Sequence, residues 1–191
     1  MNLPEIAIAL ALAWGAGLRA YAVIFAVGLA GAMGWVELPG HLEVLQHPAV
    51  LAASGFMTLV EFGADKLPWL DSMWDAVHSF IRIPAGAALA ALAFGDSSDA
   101  VMVAAAILGG SLAAAMHAAK AGARAAINLS PEPFSNWAAS LSEDALVPLG
   151  LWLAIAHPLV FFVLLAACLV AAVLLVRLLW RGVRRLTSSA T

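Results

Sequence analysis

Residues 61–82 read EFGADKLPWLDSMWDAVHSFIR, and this stretch carries seven ionisable side chains in 22 residues. The chain as a whole has 191 residues, of which 64% are hydrophobic and only 11% are charged. Ionisable groups inside or beside apolar spans cost free energy, so they are retained mostly where they serve a function or pair with one another. The stretch therefore predicts a polar centre, and we interpret the remaining sequence as the scaffold around it.

That scaffold has the composition of an integral membrane protein. Apolar runs extend over the whole chain, and Lys66 and Lys120 are its two lysines. Because one transmembrane helix needs about 20 residues, there is room for about six spans. We therefore expect one all-α domain, a polytopic helical bundle in a lipid bilayer. The predicted helices cover residues 4–33, 48–66, 71–94, 100–128, 134–156 and 159–180, and a basic tail covers residues 181–191.

The distribution of Lys and Arg predicts the orientation of these helices. Segments 34–47, 96–99 and 157–158 contain no Lys or Arg. The other ends of the helices carry Lys66, Arg82, Lys120, Arg124 and the tail arginines Arg177, Arg181, Arg184 and Arg185. Since positive charge accumulates on the cytoplasmic side, both termini are expected there. The short connection between helices five and six leaves open an arrangement with five spans and a re-entrant segment.

Two short internal similarities bear on symmetry. Residues 16–20 (AGLRA) resemble residues 121–125 (AGARA), which pairs helix one with helix four and predicts a 3+3 inverted repeat. Residues 72–76 (SMWDA) resemble residues 135–139 (SNWAA), which pairs helix three with helix five instead. The two alignments imply different repeat units, so the sequence leaves internal symmetry open.

Polar residues form stripes on the predicted helices. Asp71, Asp75, His78 and Arg82 follow at i, i+4, i+7 and i+11, which places them on one face of helix three. Further polar positions are His117, Lys120, Arg124 and Asn128 on helix four, Glu61 and Asp65 on helix two, and Glu143 and Asp144 on helix five. We expect these stripes to face one another inside the bundle.

Three motifs carry a resemblance to a known family. They are GLRAY over residues 17–21, EFGADKLPWLDSMWDAVHSFIRIPAGA over 61–87 and NLSPEPFSNWAASLSEDA over 128–145. With these motifs the chain resembles a family of small bacterial membrane proteins, domain of unknown function 4126. The resemblance implies a bacterial inner-membrane protein and supplies no activity. Residues 61–66 are also loosely similar to the Glu-x-Gly-Asp-Lys motif of a family of calcium and manganese exchangers, with Ala64 inserted before Asp65.

The acidic stripe favours a transporter or channel for a small ion. Carboxylates and imidazoles suit a divalent metal cation, and the same groups relay protons in membranes, so we expect a divalent cation with proton coupling. The candidate ion-binding residues are Glu61, Asp65, Asp71, Asp75, His78, His117, Glu143 and Asp144. Within this set, Glu61, Asp65, Asp75 and His78 are the predicted metal ligands.

The basic residues support two alternatives. Arg19, Arg82, Lys120 and Arg124 either set the electric field of a cation path or bind an anion, as in a protein that handles lipid phosphates. In a structural membrane component, the acidic and basic residues would instead pair off to fasten the helices. The segment that holds Asn128, Ser130 and Asn136 is either a re-entrant gate or a cytoplasmic loop.

Enzymatic activity and other partners receive little support. The sequence has no phosphate loop, nucleophile elbow, HExxH motif or Cys/His cluster, so no catalytic residues and no cofactor are expected. A net charge of −3 with scattered basic residues does not indicate a nucleic-acid partner. A chain of 19.7 kDa is small for transport by one copy, so a homo-oligomer is expected.

Overall fold

The computed structural model describes the backbone of residues 2–127 and 133–188, and the side chains in these ranges except those of residues 68, 69, 71, 72, 133 and 182–188. The elements are α1 (Leu3–Ala32), a 3₁₀ helix (Gly40–Gln46), α2 (Pro48–Ala64), α3 (Pro68–Ala93), α4 (Asp99–Ile127), α5 (Pro133–Ala156) and α6 (Pro158–Ser188). All α-helices except α4 have a proline in their first two positions. Proline suits this position because the first helical N–H groups have no partner within the helix.

The predicted all-α fold is confirmed, since no strand occurs in the described ranges. Five helices are long and apolar enough to cross a membrane: α1, α4 and the segments Met73–Ala93, Phe134–Ala156 and Pro158–Arg181. The protein is thus a multi-pass helical membrane protein. Helix α2 has 17 residues and is shorter than these five. The inverted repeat and the re-entrant segment stay predictions.

Helix α1 is the centre of the bundle and packs against each of the other five α-helices. Small residues in α1 allow neighbouring helices to approach closely. At Gly17, an added Cβ atom would lie only 2.5 Å from the carbonyl oxygen of Ala113 in α4, so a larger residue would force the two helices apart. On its other side, Trp14 is fully buried and meets Phe161 of α6 edge to face. Close contacts through small residues are typical of helix pairs in membranes, where apolar side chains gain little by leaving lipid.

The structure corrects two local predictions. Segment 34–47 is predicted as a loop, yet Gly40–Gln46 forms a 3₁₀ helix whose Leu42 and Leu45 are buried. In a 3₁₀ helix residues i and i+3 share one side, so both leucines face the core. The predicted start of the third helix at residue 71 is also wrong, because α3 begins three residues earlier at Pro68 and Leu67 is its N-cap. The side chain of Asp71 lies outside the described residues.

A third difference concerns α1, which the sequence predicts as one continuous helix. At Arg19 the backbone leaves the helical region, with φ −147° and ψ 81°. Residues 3–18 and 20–32 are therefore two helical segments joined inside one apolar span. The break lies beside the α1–α4 contact at Gly17 and turns the chain where the polar stripes meet.

Candidate functional site

Nine ionisable side chains from five helices meet beside the break in α1, and we call them the charge cluster. Its members are Arg19 of α1, Glu61 and Asp65 at the end of α2, Asp75 and Arg82 of α3, Lys120 and Arg124 of α4, and Glu143 and Asp144 of α5. Seven of them are buried, and the side chains of Glu143 and Asp144 are 14% and 24% exposed. Burial of this many charges is tolerated only with close pairing.

Arg82 joins α2 to α3. Its two terminal nitrogens lie 2.5 Å from Glu61 Oε1 and 2.5 Å from Asp75 Oδ1. A guanidinium presents its donors in a rigid fork, so one arginine can hold two carboxylates in fixed positions. Arg82 therefore binds the two acidic residues nearest to it at the same time and fixes the end of α2 against α3.

His117 of α4 takes part in the same pairing as a neutral ring. Its Nδ1 lies 3.3 Å from Arg82 Nη1, and its Nε2 lies 2.6 Å from Ser79 Oγ. An arginine can only donate, so Nδ1 accepts and the ring proton is on Nε2. Ser79 Oγ in turn donates to the carbonyl of Asp75. His117 is therefore the tautomer with its proton on Nε2, which donates to Ser79 Oγ while Nδ1 accepts from Arg82.

Asp65 forms a second centre. Its Oδ2 lies 2.7 Å from Arg19 Nη2 and 3.4 Å from Lys120 Nζ. The backbone carbonyl of the same residue accepts from Asn136 Nδ2 at 3.0 Å and from Ser140 Oγ at 3.4 Å. As the C-cap of α2, Asp65 thus connects the end of that helix to α1, α4 and α5.

Arg124 and Arg19 hold the α5 side of the cluster. Arg124 donates to the side-chain and backbone oxygens of Asn136, at 2.5 and 3.0 Å, and lies 3.3 Å from Glu143 Oε1. Arg19 Nε lies 3.1 Å from Asp144 Oδ1. Arg124 therefore binds Glu143, whereas Arg19 binds Asp144 and also lies 3.9 Å from Glu143 Oε2.

Lys120 lies where the helices converge. Four oxygens surround its Nζ: Glu143 Oε2 at 3.1 Å, the Leu18 carbonyl at 3.3 Å, Asp65 Oδ2 at 3.4 Å and Asp75 Oδ1 at 3.6 Å. The oxygens belong to four different helices, and Lys120 itself belongs to a fifth. We call these four oxygens the ammonium nest.

Comparison with family models decides the family of the chain. The model described as domain of unknown function (DUF4126) matches residues 6–178. The chain belongs to DUF4126. The match includes every helix that contributes to the charge cluster and confirms the resemblance found in the sequence motifs. No curated protein and no solved structure matches the chain.

In this DUF4126 member, the carboxylates outnumber the bases. Five carboxylates face four basic side chains, so the fully ionised cluster carries one net negative charge. Five buried carboxylate oxygens accept no hydrogen bond from the described residues: Glu61 Oε2, Asp65 Oδ1, Asp75 Oδ2, Glu143 Oε2 and Asp144 Oδ2. The Nε atoms of Arg19 and Arg82 also make no hydrogen bond to the described residues. Buried charges with incomplete pairing are costly to keep, and the excess of one carboxylate leaves capacity for one more cation.

The predicted metal ligands do not form one group. Glu61, Asp65 and Asp75 are each bound to an arginine, and among the described residues no three His, Cys, Asp or Glu side chains are placed to hold a metal ion. His78 turns away to stack on Trp74, with ring centroids 4.0 Å apart, and its Nδ1 bonds the Trp74 carbonyl. The divalent cation therefore stays a prediction.

The structure reassigns one predicted gate residue and adds others. Asn136 lies inside α5, fully buried on Arg124, rather than in a loop. Asn128 and Ser130 lie outside the described residues. Sequence reasoning missed Ser79, Ser140 and the Leu18 carbonyl. The two serines do lie on the polar stripes, four residues after Asp75 and four after Asn136, whereas a backbone carbonyl leaves no signal in the sequence.

A cavity of about 200 Å³ between α3 and α4 reaches the cluster. Asp75, Ser79, His117 and Arg124 supply its polar lining, and alanines supply the rest. Asp75 is also part of the ammonium nest. A small solute in the cavity therefore meets a residue that already holds a cationic group.

Proposed function

We propose that this protein moves a small cation across the membrane as a transporter or channel. The observation that carries this proposal is the break in α1 at Arg19, inside an apolar span and beside a buried cluster of nine ionisable residues. Non-helical backbone at membrane depth is tolerated where it is buried in protein or lines a cavity. Broken helices of this kind form the substrate sites of many secondary transporters.

The charge of the cluster supports a cation as the cargo. Five carboxylates and four bases leave one negative charge, and five buried carboxylate oxygens lack hydrogen-bond donors among the described residues. A divalent cation with proton coupling, as the sequence suggests, would have to displace arginines from Glu61, Asp65 and Asp75.

A second candidate function is the handling of a small anion or lipid phosphate. The observation in its favour is the cavity between α3 and α4, which is lined by Arg124 and His117. Arginine binds phosphate through two parallel hydrogen bonds. However, Asp75 lines the same cavity, and its carboxylate repels an anion, so we place this function second.

The membrane arrangement follows the distribution of basic residues. We place the protein in the bacterial inner membrane with both termini in the cytoplasm, as Lys66, Arg124 and the basic residues of the tail favour. Helix α6 exposes apolar side chains along its length, among them Val163, Val170 and Leu178. We propose that lipid and further copies of the chain cover this face in a homo-oligomer.

Flux measurements with an Asp65→Asn variant test the proposed function. Purified protein in liposomes should pass at least one of K⁺, Na⁺, methylammonium, Mn²⁺, Mg²⁺ and Ca²⁺ faster than protein-free liposomes do. Asparagine keeps the shape of Asp65 but removes its charge, so the flux should fall about tenfold or more, the factor for a loss of about 1.4 kcal/mol of cation binding.

The matched control is Asp96→Asn, because Asp96 is an exposed aspartate far from the cluster. This variant should keep the wild-type flux. If no cation crosses faster than in protein-free liposomes, or if Asp65→Asn lowers only the melting temperature and leaves the flux unchanged, the proposal is wrong. In the second case the cluster fastens helices and does not carry ions.

A further inference from the structure

The ammonium nest resembles a binding site whose ligand is attached to the protein. Lys120 Nζ has three N–H donors and four surrounding oxygens at 3.1 to 3.6 Å. Three of the oxygens are carboxylate oxygens, and the fourth is the carbonyl of Leu18 next to the break in α1. A primary ammonium group is the ligand that this arrangement holds in the structure.

We infer that the nest is the cargo position and that it takes a free ammonium or small primary alkylammonium ion when the Lys120 side chain withdraws. The inference rests on the proposed transport function and narrows its cargo to this class. Lys120 then acts as a tethered cation that closes the site in the state described here. Its long flexible side chain permits this motion, whereas an arginine in its place would be held by its rigid fork.

The distances favour an N–H donor over a divalent metal ion. Oxygen ligands lie at 2.3–2.6 Å from Ca²⁺ and at 2.0–2.1 Å from Mg²⁺. The nest oxygens are 0.5 Å or more farther from the central nitrogen, the nearest being Glu143 Oε2 at 3.1 Å. To contract around a divalent ion, carboxylates on three helices would have to move together. A monovalent ammonium ion fits with the oxygens nearly where they are.

Charge balance supports a monovalent ligand. With Lys120 in place the fully ionised cluster carries one net negative charge, and withdrawal of its ammonium group leaves one more charge unbalanced. Binding of one monovalent cation returns the cluster to one net negative charge. The cavity between α3 and α4 supplies a route, because Asp75 both lines it and contributes an oxygen to the nest.

Chemical rescue of a Lys120→Ala variant tests the inference. Truncation vacates the nest, so the melting temperature should fall, and added ammonium or methylammonium should raise it again in a saturable way. At a concentration 100-fold above half saturation, binding to the native state should raise the melting temperature by about 5 °C or more. Tetramethylammonium, which has no N–H donors, should produce no such rise, and Mg²⁺ should not replace ammonium.

The control is Lys66→Ala, which removes the other lysine of the chain. Lys66 Nζ donates to the Phe62 carbonyl and lies over the Phe62 ring, outside the nest. Ammonium should leave the melting temperature of this variant unchanged. If Lys120→Ala does not purify as folded protein, the folded yield is measured after extraction with and without methylammonium, and rescue of that yield is the expected result.

Failure of this inference is distinct from failure of the proposed function. Absence of rescue in Lys120→Ala, or equal rescue by tetramethylammonium, overturns the nest as an ammonium site even if the wild type passes some other cation. Rescue of Lys120→Ala combined with no methylammonium flux through wild-type protein supports the nest as an ammonium-binding site and overturns it as the cargo position. Rescue together with methylammonium flux supports both.

Discussion

Replacement of Arg82 by glutamine is expected to lower the melting temperature of the detergent-solubilised protein by roughly 10 °C. Arg82 holds Glu61 and Asp75 at 2.5 Å each, and all three side chains are almost completely buried. Removal of one partner from a buried ion pair costs about 3–5 kcal/mol, because the remaining charge stays desolvated and unpaired. For a chain of this size each kcal/mol corresponds to about 2–4 °C. Thermal unfolding followed by tryptophan fluorescence gives the measurement.

Two further variants separate loss of pairing from loss of side-chain volume. The triple variant Arg82→Gln, Glu61→Gln and Asp75→Asn removes the orphaned charges and should recover most of the lost stability. Arg177→Gln, at an exposed position of α6, should change the melting temperature by less than about 2 °C, as exposed charges contribute little. A triple variant no more stable than Arg82→Gln would show that charge pairing is not what Arg82 provides.

Substitution of Gly17 by alanine is expected to destabilise the protein and to abolish most of the proposed flux. A Cβ atom at residue 17 would lie 2.5 Å from the Ala113 carbonyl oxygen and 2.9 Å from Met116 Cβ. Helices α1 and α4 must therefore move apart, at a cost of about 1–3 kcal/mol for overpacking. The same movement separates the Leu18 carbonyl from Lys120 Nζ, which lie 3.3 Å apart, and so opens the nest.

Gly63→Ala is the matched control because it makes the same chemical change in the last turn of α2. A Cβ atom there meets no atom within 4 Å among the described residues outside the backbone of its own helix. The usual gain of about 0.5–1 kcal/mol from replacing a helical glycine should therefore appear. The two variants are thus expected to shift the melting temperature in opposite directions. Equal shifts in both, or an unchanged flux in Gly17→Ala, would contradict the close α1–α4 contact as the support of the nest.

The pairing within the charge cluster could be predicted only in part. The stripe on α3 correctly brings Asp75 and Arg82 together, since the i, i+7 spacing of a helix is a local property. His78 shares that stripe but stacks on Trp74 and meets Tyr21 edge to face instead. The direction of the His78 side chain depends on its aromatic neighbours from α1 and α3. The helical period of the sequence carries no information about these neighbours.

Long-range partners were beyond the reach of the sequence. Arg19 binds Asp65 and Asp144, which are far from it along the chain. Their residue type does not distinguish them from the other acidic residues as partners of Arg19. Which carboxylate an arginine meets depends on how the helices cross and rotate. Those crossings depend in turn on contacts between small residues such as Gly17 and Ala113.

The amino-acid sequence is sufficient to predict an all-helical membrane protein, the segments that are apolar enough to span the membrane, and the polar residues within them. Hydropathy and helical period are sums over neighbouring residues, so they need no knowledge of the fold. The break of α1 at Arg19 and the position of Lys120 among oxygens of four helices become visible only in the packed fold. A broken helix and a shared ammonium group are stabilised by partners from several helices at once, and that stabilisation exists only after the helices have packed.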